Sequence, residues 1–485
     1  MHIYSNSKYL CKKKILPKTF VTCPYHLNDK ICLMKNLANL SILLLTVSTL
    51  ISCHKNDVKP DDDSGLTLEQ RMNKFIAKEM QDIYLWSDQI KNPNDISINQ
   101  KPADFLKAIK YTEDNWSYLE ENDEITKTSA EGSATGFGYK IIFYKVSDNT
   151  VIGMIQYVYP NTPAAKAGLK RGDMIVRCND SWLDENNYQQ IVTNKTVKLQ
   201  TGFLTETQLI AFNESYELEI AKFNPDPILL DTILQIENKK IGYLVYTSFV
   251  DNQTTSLSDL SNAIGKIKEA QVDEFILDLR YNTGGMLTAA KQLGSLLAPA
   301  DAVGRSALFI YKQWNETYQQ KFQGTKDALE IHFDPGVLAN NLDLRKIYIL
   351  TGENTASASE VIISGLRAYL SEVILIGEKT VGKYAGMSKL SSPKELEKWV
   401  LWPVTFTYTN LNGESVKGGI EPHFTEIEYS NYLPPFGDSE DPLLKKAIEL
   451  ITGKTVTATL KAKSKASSPT NWEPIRTTER YLLID

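Results

Sequence analysis

Apolar positions change their period along the chain. Leu37 to Ile51 is a nearly continuous apolar run. From Leu66 to about Asn122 the spacing is helical: Leu68, Met72, Phe75, Ile76 and Met80 share one face, and Ala103–Ile109 predicts a second helix. From Thr135 to about Phe223 the chain reads as strands, Lys140–Val146, Ile152–Tyr159 and Ile175–Cys178. A short helix over Ala164–Ala167 interrupts them, stopped by Gly168, with a turn at Gly172-Asp173. Strands and helices then alternate: Ile241–Phe249, Ser256–Ala270, Phe275–Leu279 and Thr288–Leu297. The alternation resumes at Lys346–Leu350, a helix carrying Val361, Ile362, Leu366 and Tyr369, and Val373–Ile376. That order predicts βαβ units and an α/β core. Residues 301–340 read as a loop-rich insertion, Trp399–Tyr408 as a strand pair broken at Pro403, and Pro442–Thr452 as a helix. The Lys/Thr/Ser-rich tail from about Thr455 is expected to pack poorly.

The expected organisation is therefore α+β and multidomain. It comprises an N-terminal extension (1–53), an acidic tether (54–65), a helical subdomain (66–130), a β module (131–225), an α/β core (226–453) and a tail (454–485). The 42% hydrophobic and 23% charged residues are ordinary for a globular chain. A net charge of −6 without a large basic block argues against a nucleic-acid partner.

The apolar run closes on Leu50-Ile51-Ser52-Cys53 after a basic start at Met34-Lys35. It is short for a spanning helix and resembles a bacterial lipoprotein signal peptide with its lipobox. That resemblance implies a start at Met34, lipid on Cys53 and a membrane-anchored protein of the cell envelope, facing periplasm or cell surface. Of the five cysteines, Cys11, Cys23 and Cys32 would be removed and Cys53 lipidated, leaving Cys178 with no disulfide partner.

Candidate chemistry concentrates in Thr351–Gly386. A strand feeds a small-residue turn, Thr355 to Glu360 (TASASE), at the start of a helix; the next strand opens a loop holding Lys379 and Lys383. A serine at a helix start lies beside unpaired backbone N–H groups suited to an oxyanion. It needs a base, and a lysine serves only when neutral, which burial allows by lowering its pKa from about 10.4. Neither a phosphate loop nor a metal motif such as HExxH is present, and no cofactor is expected.

The β module, with Gly136-Phe137-Gly138-Tyr139 ahead of a strand and Pro163-Ala-Ala-Lys-Ala-Gly-Leu-Lys-Arg-Gly-Asp173 after the next, resembles a PDZ domain. Such a loop directs backbone N–H groups at a peptide C-terminal carboxylate while the peptide adds a strand to the sheet edge. In order along the chain stand YLW, DNWSY, the module, IGYLVYTSF, LDLRYNTGG, TASASE, GEKTVGK, GGIEP and DPLLKKAI. Together, from about Leu66 to Gly453, they are similar to the C-terminal processing peptidases, in particular a bacterial lipoprotein branch. The resemblance implies a crotonase-like α/β serine protease core acting on proteins or peptides with accessible C-termini. It implies Ser357 as nucleophile, Lys383 as general base, and the backbone N–H of Ala358 with Gly284 or Gly285 as oxyanion donors. Ser359 and Lys379 are the competing choices. One departure stands out: where the family often carries a glutamine that orients the lysine, this chain has Met387. The rival expectation is accordingly a catalytically weak or inactive peptide-binding lipoprotein of the same fold.

Overall fold

The computed structural model describes residues 65–121, 134–205, 208–250, 256–428, 433–455, 472–475 and 482–484. Cys53 and tether residues 54–64 lie outside them. From Leu66 onward the chain forms one compact unit.

The first helix, Leu68–Asp82, begins at a capping box in which Thr67 and Gln70 satisfy each other's backbone N–H groups. Its apolar face, Met72, Ile76 and Met80, is fully buried. It packs with Phe105, Leu106 and Ile109 of the Pro102–Ile109 helix against Trp399, Leu401 and Trp402. Ala385 and Met387 belong to the same cluster, so the N-terminal helices form one wall around the strand that follows Lys383.

Residues 134–223 are β-rich, as the alternation predicts. Among the described residues their main sheet runs in the order Glu473–Ile475, Tyr139–Ser147, Thr150–Val158, Met174–Cys178, Thr196–Leu204, Leu209–Glu219. Phe143, Ile155, Ile175 and Leu199 fill its interior.

The core holds a sheet in the order Ile228–Ile236, Lys239–Tyr246, Glu274–Asp278, Lys346–Thr351, Glu372–Gly377, Phe424–Thr425. All pairs after the first are parallel. Its central strands are apolar on both faces because both are covered. Helices Ser256–Glu269, Leu287–Leu297 and Ala358–Arg367 bury one face, and Pro442–Thr452 the other. The fold is thus mixed α/β, and its core carries the alternation of strands and helices read from the sequence.

Three expectations need correction. Residues 301–340 are not a loop-rich insertion. Among the described residues, Leu308–Trp314 is an interior strand of a second sheet, ordered Gly284–Met286, Leu482–Ile484, Ala385–Met387, Val404–Thr409, Leu308–Trp314, Glu330–His332. Phe309 and Ile310 lie in the main core, and the buried Lys312 obscures the apolar alternation in the sequence. The strand pair across Pro403 divides between sheets, with Trp399–Trp402 joining Tyr118–Glu121 and Val404–Thr409 joining the second sheet. In the tail, Glu473–Ile475 and Leu482–Ile484 are paired strands, so it is not wholly unpacked.

Candidate active site

Strand Lys346–Thr351 runs into a turn that the core fixes on several sides. Thr355 Oγ1 donates to the Leu279 carbonyl at 2.8 Å and accepts from Gly352 N–H at 2.9 Å. Ala356 N–H donates to the Asn282 carbonyl at 3.2 Å. The turn delivers Ser357 to the N-terminus of the Ala358–Arg367 helix with φ 64° and ψ −115°. A serine in that region carries strain of about 1–3 kcal/mol, held by its surroundings. Ser357 is fully buried, and its Oγ has no hydrogen-bond partner. Ser359, the competing nucleophile, is engaged: its Oγ donates to the Asn282 carbonyl at 3.0 Å.

Lys383 is equally buried. Burial lowers its pKa to about 7, against the opposite pull of the Asp114 and Glu360 charges. Its Nζ lies 3.1 Å from Met387 Sδ. The competing Lys379 sits at the surface in an ion pair with Glu421 at 2.7 Å. The loop reaches Lys383 through Gly382, whose φ is 84°. A Cβ there would fall 2.3 Å from Gly419 N, so only glycine fits.

Glu360 joins the two halves. Its Oε2 accepts from Ser357 N–H at 2.7 Å and from Lys383 N–H at 2.9 Å. Its Oε1 accepts from Gly382 N–H at 2.6 Å and from Thr380 Oγ1 at 2.5 Å. Burial pushes this carboxyl's pKa up, and the four donors oppose that push. Tyr408 spans the same residues, its hydroxyl donating to the carbonyls of Lys383 (3.1 Å) and Ser357 (3.4 Å). The structure therefore brings Ser357 and Lys383 together through backbone braces, with the serine hydroxyl not hydrogen-bonded to the lysine.

Ala358 N–H is at the first helical position, where the helix supplies no acceptor. The two glycines expected as donors are not equivalent. Gly284 N–H donates to Asn282 Oδ1 at 2.9 Å. Phe249 takes the Gly284 carbonyl and Met286 N–H, so by the strand's alternation Gly285 N–H points to the opposite edge. Gly285 has φ 143°, and a Cβ would lie 2.0 Å from the Phe249 carbonyl oxygen.

Gly136, Phe137, Gly138 and Tyr139 lie in the β module. The carbonyls of Phe137 and Gly138 accept from Ala164 and Tyr159 N–H, and the Tyr139 hydroxyl donates to the Ile191 carbonyl at 2.7 Å. His332 and His423 bond elsewhere, to Glu330 and the Ser306 carbonyl, and to Leu375 N–H.

Sequence reasoning missed Glu360, Asn282 and Tyr408. Glu360 carried a readable signal: Ser-x-x-Glu at a helix start is a capping box. Asn282 and Tyr408 carried none, because their partners are distant in sequence.

Comparison with known proteins follows the same outline. The model of peptidase family S41 matches residues 240–425, which include Ser357 and Lys383, and the model of the peptidase S41 N-terminal domain matches residues 71–118. A solved Bacteroides fragilis structure described as an S41 protease is 29% identical, with a TM-score of 0.68 over 79% of this chain and 98% of its own. A Staphylococcus epidermidis protein described as a CtpA-like serine protease is 28% identical over 352 residues, 71% of this chain and 63% of its own length. The carboxy-terminal processing protease CtpA of Bacillus subtilis is 28% identical over 294 residues, 59% of this chain and 56% of its own. The chain thus spans less than two thirds of the length of these curated relatives. Both S41 models match in order, so the chain carries peptidase S41 family domains at residues 71–118 and 240–425.

Proposed function

We propose that this protein is a serine endopeptidase with a Ser357–Lys383 dyad. The supporting observation is the pairing of a strained, unpartnered serine hydroxyl with a buried lysine whose backbone hangs on the same Glu360 oxygen. Neutral Lys383 takes the Ser357 proton as Oγ attacks the peptide carbonyl carbon. The N–H groups of Ala358 and Gly285 hold the resulting oxyanion. Collapse breaks the C–N bond, and the Lys383 ammonium protonates the leaving amine. Lys383 then deprotonates the water that attacks the acyl-enzyme, and returns that proton to Ser357 Oγ as the ester C–O bond breaks. No charged general base is needed, which suits a site buried in apolar surroundings.

Residues 131–225 act as a PDZ module, with Gly136–Tyr139 as the loop for a substrate C-terminus. Lipid on Cys53 anchors the protein in the cell envelope. Residues 454–485 follow the catalytic core in sequence.

The rival reading is a peptide-binding lipoprotein of the same fold, favoured by the absence of a hydrogen bond between Ser357 Oγ and Lys383. One experiment separates them: degradation of an unfolded protein with an apolar C-terminus by wild type, Ser357→Ala and Lys383→Ala. Cleavage by wild type alone supports the dyad. Peptide binding without cleavage by any of the three favours the binder. Loss of membrane association in Cys53→Ser tests the anchor.

A further inference from the structure

Strand Tyr139–Ser147 on one side, and strands Gly284–Met286 and Ala385–Met387 on the other, are paired by two short tail strands, Glu473–Ile475 and Leu482–Ile484. Glu473–Ile475 pairs antiparallel with the outer edge of the module, Glu473 opposite Lys145, Pro474 opposite Tyr144 and Ile475 opposite Phe143. Without it Tyr139–Ser147 would be the bare edge of that sheet, open to an added strand. The contact includes side chains: Trp472 lies against Tyr144, ring centroids 5.8 Å apart, and Ile475 packs onto the cluster containing Phe137 and Phe143.

Leu482–Ile484 then lies between the two halves of the candidate site. It pairs in parallel with Gly284–Met286 on one side, Leu483 opposite Gly285, and with Ala385–Met387 on the other, Ile484 opposite Met387. Neighbouring strands are spaced by about 4.8 Å, so the two flanking strands stand about 10 Å apart, the width of one intervening peptide strand. One edge of this slot is the edge of the Gly285 strand that faces away from Phe249 and carries the Gly285 N–H. The other belongs to the strand just after Lys383. A peptide laid between Gly285 and the Lys383 strand would have to occupy the space that Leu482–Ile484 fills.

We propose that the two tail strands, Glu473–Ile475 and Leu482–Ile484, are this protein's own in-cis peptide ligand. The first covers the module's strand edge and the second the catalytic slot, and incoming peptide must displace them. The proposal rests on the dyad reading for its effect on turnover, but its binding component does not.

A tethered ligand competes at an effective concentration of about millimolar, so freeing the slot should strengthen binding in trans at least about tenfold. The probe is a fluorescent synthetic peptide of sequence 472–485, titrated into the full chain carrying Ser357→Ala, with and without Leu483→Pro. Proline at 483 removes a backbone N–H from the strand. Tighter binding to the Leu483→Pro chain is expected; equal or weaker binding overturns the proposal, whether or not any form of the protein cleaves peptides. In the active chain, Leu483→Pro should lower KM for a C-terminal peptide about tenfold with kcat within about twofold, and the free 472–485 peptide should inhibit competitively. Hydrogen exchange on the unsubstituted full chain removes any dependence on how the variant folds. Amides 482–484 should be protected at rest and lose protection at saturating substrate peptide; protection unchanged by substrate overturns displacement.

Discussion

Lys383 Nζ lies 3.1 Å from the sulfur of Met387, four residues further along the chain. A thioether is a weak acceptor, poorly suited to an ammonium but compatible with a neutral amine. The contact agrees with burial, which already holds the Lys383 pKa at about 7. Met387→Gln places an amide oxygen within reach of the amine, and that oxygen stabilises the charged form. The Lys383 pKa should rise. The ascending limb of kcat/KM against pH should move up by about one unit, so activity drops severalfold at pH 7 and is little changed at pH 9. A limb that stays in place in the variant rules out this account of Met387.

The same lysine makes stability depend on pH. Its folded pKa, about 7, lies below the ordinary lysine value of 10.5. Between those values the unfolded chain binds the extra proton, so stability rises with pH across the window, and below it the whole penalty is present. Lys383→Met removes the penalty. It should stabilise the protein by roughly 4 kcal/mol at pH 7, at about 1.4 kcal/mol per pKa unit, with the gain fading toward pH 10.5. Denaturant unfolding of both proteins at pH 6, 8 and 10 checks the trend; a gain independent of pH would place its origin elsewhere.

Glu360 is a positioning residue that contacts no reacting atom. Glu360→Gln keeps its size but turns one oxygen into an NH₂, so one end faces backbone N–H donors without an acceptor to offer. Leaving buried donors unsatisfied costs about 1–3 kcal/mol. Thermal unfolding should show a loss of that order, with kcat down by about tenfold or more while KM for peptide stays within about threefold. Glu360→Asp shortens the carboxylate and should not restore kcat, because Oε2 must reach both Ser357 and Lys383 N–H groups.

Much of the site was readable because its parts lie close together in sequence. The strand–turn–helix that presents Ser357 and the glycine before Lys383 are local patterns, and the helix Pro442–Thr452 follows directly from its Asp441 cap. What escaped depends on distant pairing. Strand Leu308–Trp314 is recognisable only once Val404–Thr409 lies beside it, since Lys312 interrupts its apolar run. The tail reads as polar filler because Glu473–Ile475 and Leu482–Ile484 are too short to show a period, and their partners begin far upstream. The bond from Gly284 N–H to the Asn282 side chain, which sets the two glycines apart, is encoded by no spacing in the sequence.

Arg171 ties the β module to the Tyr281–Asn282 loop beneath the candidate site, and its removal should be felt at both. Its guanidinium donates to the Tyr281 hydroxyl at 2.6 Å, to Glu428 at 2.6 Å and to the Pro434 carbonyl at 2.8 Å. Tyr281 directly precedes Asn282, which accepts from Ala356 N–H beside Ser357. Burial would raise the Glu428 pKa, but Arg171 and Arg280 outweigh it and hold the carboxyl at about 2. A depressed carboxyl adds stability that is present above its unfolded pKa, ordinarily about 4.3, and lost as pH falls through the folded value. Arg171→Met leaves Arg280 as the remaining guanidinium on Glu428, so part of that depression should disappear. Breaking one arm of a buried pair costs about 3–5 kcal/mol. The variant should therefore unfold at a higher pH than wild type on acid titration, with its largest loss of stability above pH 5. Peptide turnover should fall with it, because the Tyr281–Asn282 loop loses its outer brace. An acid-unfolding midpoint that does not move would show that Arg280 alone fixes Glu428 and that Arg171 is not the link between module and core.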